Sequence, residues 1–271
     1  MSKVKVIAEI GENFIGDIAI AKKLIRAAAD VGADYVKFQS YRPETFKPTD
    51  PEYEWFKKVS LSDDDHFLLR DYSKECGVKF FSAPFSIERA KFLCEVLKLK
   101  EIKIASGMMM NFALLDYVNR YAECVFISTG MATLEEIKEA ISHLKRVSKV
   151  YILHCVTQYP CEDQDANLLA IKQLQNEFPG YEIGYSDHTL GTLAPLAAVA
   201  LGASVIEKHF TFDKQAKEGT DHILSVEPDE LKQMVRDIRR IEKLLGNEQK
   251  IPTKGEQEIT QFVRTRFVVT P

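Results

Sequence analysis

Two histidines, His188 and His209, each close a short apolar strand, in GYSDH and VIEKH, and one small-residue helix over 190–204 separates them. Consecutive strands joined by a single helix lie side by side in a parallel sheet, so both imidazoles emerge at the same carboxyl edge, within reach of one divalent cation. A lone histidine at a strand end is usually a hydrogen-bonded core residue. Two at adjacent ends, the second with Glu207 on its own face, are better explained as metal ligands. Lys37 in DYVKFQS and Lys103 in EIKIASG interrupt strands that are otherwise apolar. Ammonium groups have little reason to be there unless an anion waits for them, although a snorkelling lysine at a rim is the plainer reading of either one alone. Ser82, Ser106, Ser128 and Ser186 stand at four strand ends. Any one of them also reads as a helix cap. Together with the lysines they form a ring of donors suited to phosphate and carboxylate oxygens. Lys37 with Gln39, Ser186 with His188 and Glu207 with His209 keep a period of two, so each pair shares a face.

Elements that bring strand ends together must stand behind such a constellation. Apolar, β-branched runs alternate with amphipathic stretches along the whole chain. The strands are VKVIAEIG, DYVKFQS, VKFFSAPF, EIKIASG, CVFISTG, KVYILHCVT, YEIGYSDH and VIEKHFT. The helices follow at 19–31, 62–75 (after a polar loop with three prolines), 86–98, 111–122, 133–147, 166–178, 190–204 and 227–245. Thr133 and Glu136 make a capping box at the start of the fifth. Eight strand–helix units, with strands apolar on both faces, predict a single-domain TIM (β/α)8 barrel over 1–271. No GxGxxG follows the first strand, which weakens a dinucleotide-binding alternative. In a barrel of this kind the chemistry sits at the carboxyl ends of the strands, where all of the residues above fall. His154 reads as packing or as support for the site, His66 and His143 as surface or groove residues on polar helices, and His222 as a residue bordering the site.

Composition excludes other classes. Of 271 residues, 36 are Lys or Arg and 40 are Asp or Glu, a net charge of -4 with no basic stripe. Nucleic acid and anionic membrane surfaces are therefore not expected partners. No apolar run reaches bilayer length and MSKVKVIAEIG is no signal peptide, so the expected location is cytoplasmic. Five cysteines without a CxxC pair read as small buried hydrophobes in a reducing compartment.

The segments AEIGENFIGD, ADYVKFQSY, FFSAPF, IKIASG, ISTGMATLEEI, LHCVTQYP, GYSDHTLG, VIEKHFTFDK and GTDHILSVEPDEL run in order through practically the whole chain. They resemble the barrel domain of the sialic acid synthase family, the N-acetylneuraminate, legionaminate and pseudaminate synthases. Members of that family condense phosphoenolpyruvate with an N-acyl hexose to a nonulosonic acid, a 2-keto-3-deoxy sugar acid, plus phosphate, using manganese or magnesium. The resemblance implies that His188 and His209 hold the metal. It implies that Lys37, Lys103, Ser106, Ser128 and Ser186, with Ser82 beside them, hold phosphoenolpyruvate. Asn13, Gln39, Tyr159 and Asp221 are expected to face the sugar. Glu207, Lys37 and Lys103 are the expected catalytic groups, with Glu207 positioning water or moving a proton.

The sequence also departs from the family's pattern. Phe14 stands where histidine is usual, Ala83 where threonine is, Met108 where an acidic residue is, and Thr157 where Asn or Ser is; GTDH replaces GPDH. Family members continue into a small antifreeze-like domain that lends an arginine to the partner subunit's sugar site. This chain ends at VRTRFVVTP, so the expectation is a barrel without that domain, and a homodimer without its main motive. Two alternatives stay open beside the synthase. One is a related synthase or aldolase with another acceptor, such as a phosphorylated sugar, for which Arg42, Lys47 and Lys57 are the candidate extra cations. The other is a non-catalytic sugar-binding homologue.

Overall fold

The computed structural model of the protein describes residues 3–219 and 221–266; Thr220 of the GTDH loop and the end of VRTRFVVTP lie outside them. The strands are β1 (Lys5–Glu9), β2 (Tyr35–Ser40), β3 (Lys79–Pro84), β4 (Glu101–Ile104), β5 (Cys124–Ser128), β6 (Lys149–Cys155), β7 (Glu182–Asp187) and β8 (Val205–His209). They form one sheet in the order β3-β2-β1-β8-β7-β6-β5-β4, every ladder parallel. β3 and β4 come together at the remaining seam, so the sheet is a nearly closed barrel, as the eight-unit reading expects.

Strands buried on both faces divide their side chains between two cores. Inside the barrel, Ile7, Tyr35, Phe81, Phe126, Tyr151 and Val205 fill the lower layers, with the Phe126 and Tyr151 rings stacked 4.5 Å apart. Outside it, Val36, Phe38, Phe80, Ile102, Val125, Ile152, Ile183 and Ile206 pack under the helices. Register then decides what stands above the inner core: Glu9 lies opposite both Lys37 and His209, and Ser186 opposite Glu207 and Cys155.

The helices that return the chain are α1 (Ile18–Asp30), α2 (Tyr53–Val59), α3 (Asp63–Cys76), α4 (Ile87–Lys91), α5 (Phe112–Tyr121), α6 (Leu134–Ser142), α7 (Ala170–Glu177), α8 (Leu193–Ala200), α9 (Pro228–Leu244) and α10 (Lys254–Arg264). Local signals start and stop them. Asp17 accepts the Ala19 amide at 2.7 Å to cap α1, and Ser62 with Asp65 forms a capping box on α3. Gly77, at φ 76°, ends α3 in the left-handed conformation that glycine adopts without penalty. Thr133 and Glu136 make the anticipated box on α6.

Four features differ from the sequence reading. The loop after β2 contains α2, and α4 continues as a π-helical turn over Phe92–Val96 rather than as regular helix. α10 follows the barrel, its described apolar side chains exposed. His66 is a buried residue, not a groove residue: its Nδ1 bonds the Ser62 carbonyl at 2.8 Å and its ring lies edge-on to Phe92. Burial, working against that hydrogen bond, lowers its pKa to about 4, so it packs as a neutral ring.

Candidate active site

A cavity of about 540 Å³ opens at the carboxyl end of the barrel. Its floor is a buried polar network built by the strands themselves. One oxygen of Glu207, Oε1, accepts hydrogen bonds from Lys37 Nζ at 3.0 Å, Lys103 Nζ at 3.1 Å and Ser186 Oγ at 3.0 Å. Lys37 also pairs with Glu9 Oε1 at 3.2 Å, and Lys103 donates to Ser128 Oγ at 2.7 Å. The chain of groups is therefore Glu9–Lys37–Glu207–Lys103–Ser128, supplied by five strands.

The two carboxylates of this chain are not equivalent. Burial raises the pKa of Glu9 to about 7, only partly offset by Lys37. Burial opposes ionisation of Glu207 as well, but two ammonium groups on one of its oxygens hold it well below the usual carboxylate range. Lys37 is held protonated by Glu207 and Glu9 against the cost of its burial. Lys103 has only one carboxylate at hand, and its pKa is lowered by burial. Glu9 Oε2 and Glu207 Oε2 are buried without a hydrogen-bond partner, as is His209 Nδ1. Unpaired buried polar atoms are costly, and three of them around one cavity mark places for ligand atoms.

His188 and His209 face each other with ring centroids 5.4 Å apart. His188 Nδ1 lies 2.6 Å from the Val156 carbonyl, which only an N–H can approach, so the Nε2 lone pair is left free. Burial lowers both imidazole pKa values, that of His209 strongly, with the neighbouring His188 and Lys37 adding to the effect. Neutral rings are the form that binds metal. Asp221 Oδ2 stands 3.4 Å from His209 Nδ1, and the Tyr159 ring lies 4.0 Å from that of His188. Among the described residues no cluster of three or more His, Cys, Asp and Glu side chains is arranged as a metal cage.

A family model described as the NeuB family matches residues 24–250. The chain belongs to the NeuB family. It is 41% identical over 287 residues to the N,N'-diacetyllegionaminic acid synthase of Campylobacter jejuni, covering 99% of this chain and 85% of that protein. It is 37% identical to the N-acetylneuraminate-9-phosphate synthase of Mus musculus, covering 92% of this chain and 72% of that protein. The crystal structure of the N-acetylneuraminic acid (sialic acid) synthetase of Leptospira borgpetersenii superposes with a TM-score of 0.91 at 35% identity, over 98% of this chain and 93% of that one. Membership makes the protein a carbon–carbon bond-forming synthase of carbohydrate biosynthesis.

In this NeuB-family barrel the cavity gathers Lys37, Gln39, Lys103, Ser106, Ser128, Tyr159, Ser186, His188, Glu207, His209 and Asp221. Two expected residues lie elsewhere. Ser82 follows Phe81, which points into the barrel, so Ser82 points outward and donates to the Phe38 carbonyl at 3.1 Å. Asn13 spends its amide nitrogen on the Phe210 carbonyl at 3.0 Å and on Ser225 Oγ at 2.9 Å, fastening the segment after β8. Neither lines the cavity. His154 is on the outer face, bonded to the Ala166 carbonyl, and His222 sits behind the site on Thr211. Of the family departures, Phe14 packs edge-on to Phe38 and Met108 rests against the outer core.

Four cavity residues had no part in the sequence reading: Glu12, Glu52, Phe56 and Phe85. Glu9, which also lines the cavity, was legible as the polar end of β1, but no role was given to it. Glu12 and Phe85 stand on loops, Glu52 immediately precedes α2 and Phe56 lies on that helix. Glu12 accepts from Tyr41 Oη at 2.9 Å and from Trp55 Nε1 at 2.6 Å, which ties α2 down over the cavity. Phe56, on α2, stacks on Phe46 with the rings 4.3 Å apart.

Proposed function

We propose that this protein condenses phosphoenolpyruvate with an N-acyl aldose, forming a nonulosonic acid and phosphate, with a divalent cation held by His188 and His209. The observation that carries the reading is the convergence of Lys37, Lys103 and Ser186 on one oxygen of Glu207, at the floor of a cavity whose other wall bears the histidine pair. An ammonium group has three donors. Lys37 commits to Glu9 and Glu207, and Lys103 to Ser128 and Glu207, so each keeps capacity for an oxygen of the substrate. Ser106, whose Oγ accepts the Gly130 amide at 3.1 Å, adds a fixed hydroxyl beside them.

Anchoring both anionic ends of phosphoenolpyruvate leaves its methylene carbon free to attack the aldehyde carbon of the acceptor. The aldehyde oxygen takes a proton and becomes a hydroxyl. Water adds to the enol carbon and loses a proton; phosphate then leaves with the electron pair of its carbon–oxygen bond as the added hydroxyl gives up its remaining proton and becomes the keto oxygen. When bound, the cation supplies Lewis-acid polarisation of the aldehyde. Glu207 is too weak a base to take a proton efficiently; it keeps both lysines in place and orients water. Glu9, with a pKa of about 7, is the carboxyl able to hold or release a proton near neutrality.

Phosphate release should require phosphoenolpyruvate, Mn²⁺ and an N-acyl hexose together. Folded protein that binds Mn²⁺ yet releases no phosphate across a panel of acceptors would sink the proposal.

A further inference from the structure

The relatives include synthases named for a phosphorylated product and synthases named for an unphosphorylated one. Which acceptor suits this chain is written in the charges of the cavity. Its two halves are set by the strand order around the barrel. The carboxyl ends of β4–β7 and the loops that follow them supply Ser106, Gly107, Ser128, Thr157 and Ser186, the donor half. The loops after β8, β1, β2 and β3 supply Asp221, Glu12, Glu52, Phe56 and Phe85, the opposite half.

Among the described residues, the loops of that second half bring carboxylates and aromatic rings to the cavity but no ammonium or guanidinium group. Among the described residues that line the cavity the only lysines are Lys37 and Lys103, both at the floor, where they pair with carboxylates and keep their remaining donors for phosphoenolpyruvate in the reaction proposed above. The cations that the loop after β2 offers are turned elsewhere. Arg42 Nη2 donates to both oxygens of Asp63, at 3.0 and 3.1 Å, and its Nε lies 3.5 Å from Glu88. Lys58 pairs with Glu218, and neither Lys47 nor Lys57 lines the cavity. The roof is close-fitting there: a Cβ on Gly219 would come 2.8 Å from the Trp55 ring.

We infer that the acceptor is a neutral aldose without a terminal phosphate, its hydroxyls donating to Glu12, Glu52 and Asp221 and its acyl or deoxy carbons resting on Phe56 and Phe85. A phosphate at the end of the acceptor farthest from the aldehyde would enter this acidic half with no ammonium or guanidinium to meet it. Unpaired anion against carboxylate in a semi-enclosed cavity is strongly repulsive, whereas hydroxyl donors against carboxylates form charge-assisted hydrogen bonds. The inference rests on the synthase reading and names its substrate class.

The test compares an N-acyl hexose with its terminal phosphate ester in two measurements. In the phosphate-release assay, kcat/KM is expected to favour the neutral sugar at least tenfold, and Glu52→Lys should narrow that preference. Equal or better use of the phosphate ester would overturn the inference. Saturation-transfer NMR of the two sugars with the protein gives a readout that needs no turnover. Tighter binding of the ester overturns the inference even in a protein with no synthase activity, and preferential binding of the neutral sugar supports it there. Absence of turnover with every acceptor counts against the synthase reading alone.

Discussion

Asp187 and Lys208, the residues immediately before the two histidines, are themselves paired at 2.7 Å on the outer face of the barrel. The period of two sends each pair partner outward and each following histidine toward the cavity. Both paired side chains are fully buried. Asp187 also accepts the Tyr185 hydroxyl and the Thr189 amide, both at 2.9 Å, so the ion pair fixes the start of the loop after β7. Removing one partner strands a buried charge. Lys208→Met is expected to lose about 3–5 kcal/mol of stability in urea unfolding. Asp187→Asn/Lys208→Met, which keeps an acceptor for Tyr185 and Thr189 without the charge, should recover more than half of that. A double variant no more stable than the single one would show that the pair matters through packing, not charge.

Glu12 and Trp55 offer a spectroscopic handle, because Trp55 is the single tryptophan of the chain. Burial raises the Glu12 pKa from 4.5 to about 7, with the hydrogen bonds from Trp55 and Tyr41 pulling the other way. Tryptophan emission is therefore expected to titrate with a midpoint near pH 7, and Glu12→Gln should abolish the transition. The linkage sign follows from the raised folded value. Below pH 4.5 the carboxyl is protonated in both states, and between 4.5 and 7 only the unfolded chain releases the proton. Glu12's contribution to stability is thus highest at low pH and declines as pH rises through that window. A flat emission profile from pH 5 to 9 would contradict the buried Glu12–Trp55 contact.

The barrel was legible because eight apolar runs alternate with capped amphipathic helices, and both signals are local. The site was legible wherever a strand carried polar groups with a clear phase. Lys37 and Gln39 flank Phe38 and so announce their face; Ser186, His188, Glu207 and His209 do the same. KFFSAP has no such phase, since Phe80 and Phe81 are both apolar and point to different cores, and Ser82 was placed on the wrong side. Asn13 sits on a loop, where no period applies. α2 escaped notice because YEWFKKV is short and follows three prolines. Its helix is held by contacts distant in sequence, the Phe46–Phe56 stack and the Trp55–Glu12 bond. The acidic half of the cavity rides on that helix and its neighbours, so it too appears only in three dimensions.

The histidine pair can be tested apart from turnover. Mn²⁺ affinity, measured by the free-ion electron paramagnetic resonance signal, should fall more than about 100-fold in His188→Ala and in His209→Ala. That figure exceeds what loss of a group that only orients a ligand produces. His143→Ala, a surface ring stacked on Phe112 and paired with Asp116, should bind Mn²⁺ as the unaltered protein does. Retention of full affinity in His209→Ala would remove the cation from this site.

The last contrast separates the lysines from the serine that faces away. Lys37 and Lys103 touch the carboxylate at the floor of the cavity, so replacing either by methionine leaves Glu207 short of a counter-charge and, in the proposed reaction, removes a donor to phosphoenolpyruvate. Loss of one preorganised electrostatic donor typically costs about 100- to 1000-fold. That range is expected in kcat/KM for phosphoenolpyruvate in both variants, with the fold checked by circular dichroism. Ser82→Ala deletes only the bond to the Phe38 carbonyl, a loss of about 1 kcal/mol in stability. Its kcat/KM should stay within about twofold of the unaltered enzyme, because an outward-facing hydroxyl has no path to the substrate. A tenfold fall in Ser82→Ala at unchanged stability would mean that β3 turns its other face to the site.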